Sequence, residues 1–174
     1  MNLYNGKSQG RHLTKFSIIF VTILIIITSQ KAPAQYLNEG LVQQLIPLAE
    51  SGDSAAQNTL GTMLYYGYGV VKDCDEALKW LRLAAENGIP EAQSLIGHLY
   101  GKGKGCVAQD YTESTMWHQL AAEQGSVHSQ LLLGFAYIKG TGVLQDYVEA
   151  AKWIRKAAEQ GNDNSQHQFG QMYH

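Results

Sequence analysis

Gly125–Gly161 reads GSVHSQLLLGFAYIKGTGVLQDYVEAAKWIRKAAEQG, and this stretch decides the fold because the chain repeats it. Gly52, Gly88, Gly125 and Gly161 stand 36, 37 and 36 residues apart. Leu60-Gly61, Ile96-Gly97, Leu133-Gly134 and Phe169-Gly170 keep the same intervals, as do Trp80, Trp117 and Trp153. So do the triplets Ala84-Ala85-Glu86, Ala121-Ala122-Glu123 and Ala157-Ala158-Glu159. Unrelated residue types locked to one period are the mark of a stacked repeat array.

Each copy divides into two helices. The first, over 54–66 in copy one, puts Ala56, Leu60 and Leu64 on one stripe. Gly61 sits inside it, where glycine costs about 1 kcal/mol relative to alanine. Its recurrence implies a close backbone approach that a Cβ would block. A glycine loop follows, as in Gly67-Tyr68-Gly69-Val70. The second helix opens on Asp73, Asp110 or Asp146, with Glu76, Glu113 or Glu149 three residues on. That spacing predicts a capping box satisfying two orphan amides. The buried face then runs Ala77, Trp80, Leu81, Ala84, Ala85, and again Ala150, Trp153, Ile154, Ala157, Ala158. Glycines 88, 125 and 161 fall just past the helix ends, where a left-handed residue is wanted.

These marks divide the chain into a leader over 1–34, an N-terminal capping half-repeat over 35–51, and repeats over 52–87, 88–124 and 125–160. A C-terminal half-repeat spans 161–174. The fold class expected is all-α, an α-solenoid of antiparallel helix pairs with about eight helices, its edge units presenting polar outer faces.

The leader carries Lys7, Arg11, Lys15 and Lys31 and no acid. Thirteen mostly apolar residues, Phe16–Thr28, would span roughly 20 Å as a helix, short of the ~30 Å hydrocarbon core. Ala32-Pro33-Ala34 offers a small-x-small cleavage site that would leave Gln35 at the mature N-terminus. The reading is an exported protein, periplasmic or secreted and bacterial, with no membrane contact after cleavage. The alternative is an inner-membrane anchor using the uncleaved segment. Residues 35–174 hold nine basic and fifteen acidic groups, a net charge of −6, which argues against nucleic acid as a partner.

The repeated pattern, most complete in copy three from Leu133-Gly134 through Tyr137, Gly140, Gly142, Val143, Asp146, Ala150, Trp153 and Ala157-Ala158-Glu159 to Gly161, resembles the Sel-one-like repeat (SLR) family. This family is related to the tetratricopeptide repeat. Copy one departs at Leu64, where tyrosine would stand. Copy two departs at Ser114, for alanine, and has one extra residue in Lys104-Gly105-Cys106-Val107. The resemblance spans about 41–174. It implies a right-handed superhelix that serves as a protein-interaction scaffold rather than an enzyme, with a protein or peptide partner and no cofactor.

By that likeness the first helices line a concave groove. Register then assigns to it Asn58, Thr62, Tyr65 and Tyr66; Ser94, His98 and Lys102; Leu131, Phe135, Ile138 and Lys139; and His167 and Gln171. Leu131, Phe135 and Ile138 would be an apolar anchor for an extended peptide or helix, or would pack against the following helix pair.

No catalytic signature is present: Ser-x-x-Lys, G-x-S-x-G, H-E-x-x-H and Walker A are all missing. Gly103-Lys104-Gly105-Cys106-Val107-Ala108 matches a dinucleotide loop in letters, but follows a helix and not a strand. The six histidines never stand as an i, i+4 ligand pair, so no metal site is expected. Cys74 and Cys106 are either two thiols or an inter-repeat disulfide, which export would permit. A cysteine-rich subgroup of the family, with a Cys pair in each repeat, is linked to penicillin binding and weak β-lactamase activity. That is the alternative function, although the regular pairs are not found here.

Overall fold

Aspartate caps and glycine stops set the element boundaries. The computed structural model describes residues 33–103 and 105–161, with side chains from residue 40 onward. The leader up to residue 32 and the half-repeat after Gly161, with His167 and Gln171, lie outside the described residues. Seven helices are described: α1 (Pro33–Glu50), α2 (Ser54–Tyr66), α3 (Cys74–Glu86), α4 (Pro90–Lys102), α5 (Tyr111–Glu123), α6 (Val127–Lys139) and α7 (Tyr147–Glu159). Each packs on the next along the chain. The result is an all-α solenoid of hairpins α2–α3, α4–α5 and α6–α7, with α1 closing one end. None of the described helices is long and apolar enough to cross a membrane.

The caps form, with one correction to the expected capping box. The Asp73 carboxylate accepts from the Glu76 amide, while Asp110 and Asp146 each accept two, from Thr112 and Glu113 and from Val148 and Glu149. The glutamates do not reach back. Each aspartate's own amide instead donates to a carbonyl of the preceding helix, Leu64, Tyr100 or Tyr137, at 3.0–3.1 Å. With that donor occupied, Glu76 turns to Lys79 and Glu149 to Lys152. One residue thus caps the second helix and ties it to the first.

At the other end, Gly88 and Gly125 adopt φ of +85° and +96°. The amides of Gly88 and Ile89 bond back to Ala85 and Ala84, and those of Gly125 and Ser126 to Ala122 and Ala121. This is the Schellman arrangement, which a Cβ would strain.

The first and second helices of a hairpin make the close approach the sequence predicts. A Cβ on Gly61 would lie 2.7 Å from Leu81 Cγ and 3.1 Å from the Ala77 carbonyl. Leu81, Ile96, Leu133 and Ile154 are fully buried. The tryptophans bridge hairpins. Trp80 packs on the Val42–Ala56–Leu60–Met63 cluster, and Trp117 packs on the cluster of Leu81, Ala84, Ala92 and Ile96. Trp153 is buried with Ala122 and Leu133. At the N-terminal edge, Gln43 and Gln44 of α1 are exposed.

Candidate binding groove along the first helices

Two cavities run along α2, α4 and α6. The first, about 580 Å³, is lined by Asn58, Thr62, Tyr66, Ser94 and His98, with Glu91 and His128 at its rim. The second, about 430 Å³, is lined by His98, Lys102, Phe135 and Lys139 over a floor that includes Ser114 and His118. His98 belongs to both. Eight of the eleven described residues assigned to the groove by register therefore meet in these cavities.

The other three do not. Tyr65 packs against the Leu81–Ile96 cluster, its ring 5.0 Å below Lys72 Nζ and edge-on to Tyr66. Leu131 and Ile138 are half-buried and line neither cavity; the apolar wall consists of Phe135 with Leu132 and Ala136. Tyr66, half-exposed, stacks on Tyr68 with ring centroids 5.2 Å apart.

The floor is polar where copy two departs from its neighbours. Ser114 stands where Ala77 and Ala150 stand, and its hydroxyl donates to the Gly97 carbonyl at 2.7 Å. His118 replaces Leu81 and Ile154. Its ring lies over Gly97, and its Nδ1 is 3.3 Å from Ser129 Oγ. Burial, with smaller repulsion from His128 and His98, lowers the His118 pKa to about 4, so the ring is neutral at pH 7. His98 is held below its ordinary value by burial, Lys102 and His128, in that order. No group of three or more His, Cys, Asp or Glu among the described residues is arranged to hold a metal.

One recurring buried contact escaped the sequence reading. Gln57, Gln93 and Gln130 are buried at the fourth position of their helices, and each donates Nε2 to a carbonyl near the end of the preceding helix, at Ala49, Ala85 and Ala122. These glutamines recur at the repeat period, and Gln166 continues the series. The period carries the signal, but a polar residue beside the Ala56–Leu60–Leu64 stripe has no apolar pattern to mark it as buried. Gln124 and Gln160, at the ends of α5 and α7, donate back to Gln93 and Gln130. The shorter Asn87 holds that position in the first hairpin and bonds to Leu83, leaving Gln57 Oε1 buried without a partner.

The structure pairs Cys74 with Cys106 as a disulfide, with Cα atoms 5.1 Å apart. Register explains it. Gly105 and Gly142 are equivalent, and Gly142 lies against Tyr111, the first residue of α5. Cys74 is the first residue of α3, and Cys106 is the extra loop residue of copy two. The insertion converts a stacking contact between neighbouring hairpins into a covalent one.

The Sel1 repeat family matches residues 54–89, 90–126 and 127–162. Each unit opens at the start of a first helix, two residues after the glycine-anchored divisions. A Sel1 repeat protein from Oxalobacter formigenes is similar, with 41% identity and a TM-score of 0.70 over 74% of this chain and 96% of that one. A protective antigen present in uropathogenic Escherichia coli strains, displaying an SLR fold, is 43% identical with a TM-score of 0.71. That match covers 74% of this chain and 27% of the antigen. Cysteine rich protein B of Helicobacter pylori, 18% identical, shares the fold over 77% of this chain and 96% of its own, with a TM-score of 0.61. No curated protein matches the sequence. With three consecutive repeats matched and the hairpin solenoid they build described, the chain belongs to the Sel1 repeat family, whose members typically act as protein–protein interaction scaffolds.

Proposed function

We propose that this protein is an exported, non-enzymatic scaffold that binds a protein or peptide through the groove of its first helices. The observation that carries the reading is the pair of cavities sharing His98, one lined by Tyr66 and the other by Phe135. Aromatic side chains beside polar rims are the usual anchors of such contacts. Sequence register assigns His167 and Gln171 to the same groove, outside the described residues. Export is supported by the leader and by the Cys74–Cys106 bridge, of a kind that oxidising compartments favour and that is rare in the cytosol. Removal of the leader after Ala34 is checked by N-terminal sequencing, which should begin at Gln35.

The groove is tested by affinity capture from envelope and host extracts, followed by the Tyr66→Ala/Phe135→Ala variant. Far-UV circular dichroism should be unchanged. Retention of the recovered partner should fall about tenfold or more, the loss expected of aromatic anchors. Equal retention by the variant overturns the groove assignment.

A further inference from the structure

The two cavities differ in charge, and the difference selects a ligand. Lys102 and Lys139 occupy the last positions of α4 and α6, one repeat apart, and both line the second cavity. None of the residues lining that cavity is acidic, and neither lysine has an ion-pair partner among the described residues. The first cavity holds Glu91 instead, and its counterpart of the two lysines is Tyr66. This local excess of positive charge stands against a net of −6 over residues 35–174.

Beside the ammonium groups stands an apolar wall of Phe135, Leu132 and Ala136. The polar floor is already engaged. Ser114 donates to Gly97, and Thr115 Oγ1 is within hydrogen-bond distance of the Tyr111 and Thr141 carbonyls. The lysines are the charged groups of this lining, and no acidic residue among the described residues pairs with them. Two cations lining one cavity with a hydrophobic wall suit a carboxylate carried next to an apolar side chain.

We infer that the cavity between α4, α5 and α6 receives an aspartate or glutamate of the bound polypeptide, whose apolar neighbour packs on Phe135. The inference rests on the groove reading above and adds the chemical class of the ligand. The test pans the full protein against a displayed library of random dodecapeptides. Enriched sequences should carry an acid adjacent to a large apolar residue. Lys102→Gln and Lys139→Gln should each weaken binding of such a peptide by roughly two- to fivefold, the range of an exposed ion pair. Together they should abolish the preference for acid, while Lys102→Arg/Lys139→Arg keeps it. Apolar enrichment without an acid, or an acid preference unmoved in the double glutamine variant, overturns the charge assignment and leaves the groove reading standing. No enrichment at all counts against both.

Discussion

At the residue scale, the glutamine ladder gives the cleanest test, because one hairpin lacks a rung. Gln93 and Gln130 have both ends of the side-chain amide satisfied, whereas Gln57 Oε1 has no partner because Asn87 is one methylene short of Gln124 and Gln160. Asn87→Gln should raise unfolding stability by about 1 kcal/mol, and Gln124→Asn should lower it by a similar amount, read by denaturant titration. His118 gives a second test. Its folded pKa of about 4 lies below the ordinary 6.5, so the unfolded chain binds more protons between those values. Stability is therefore full above about pH 6.5 and is lost as the pH falls, by about 2–3 kcal/mol at pH 4.5. His118→Leu, which restores the residue type of the other hairpins, should flatten that slope between pH 7.5 and pH 4.5. An unchanged slope would place the sensitivity elsewhere. The glutamine positions follow the repeat period and so are written in the sequence, but their burial and the missing rung depend on side-chain reach across a helix junction and emerge only from the packed structure.

At the scale of the element, each hairpin is held by one aspartate cap and one glycine contact. Gly61→Ala gains about 1 kcal/mol of helix propensity but drives a methyl group to within 2.7 Å of Leu81 Cγ and 3.1 Å of the Ala77 carbonyl. The overpacking should dominate, for a net loss of about 1–2 kcal/mol in a thermal melt. Stability equal to or above the parent would show that α2 and α3 can separate without cost. Helix boundaries were legible because Asp and Gly act locally, through hydrogen bonds and φ angles within a few residues. The fate of the cap's glutamate was not. The aspartate amide is claimed by a carbonyl in the preceding helix, and that competition is tertiary.

For the whole molecule, a solenoid has only nearest-neighbour contacts, so each junction between hairpins is a separate point of failure. The bridge from Cys74 to Cys106 closes 32 residues of sequence across the first of these junctions. Cys74→Ser/Cys106→Ser should cost about 3–4 kcal/mol on the chain-entropy account, and reductant should lower the parent's stability but not the variant's. Parent and variant melting together under oxidising conditions would refute this. The sequence alone determined the repeat period, the helix pairs, their caps and stops, and the residues facing the core, because each follows from periodicity and short-range backbone chemistry. Tertiary structure decided that the two cysteines meet, that Tyr65 packs against the core cluster while Tyr66 lines a cavity, and that Lys102 and Lys139 line the same cavity. Those outcomes depend on how one hairpin is displaced and rotated against the next. That geometry is set by the packing of side chains from different repeats, which no local pattern encodes.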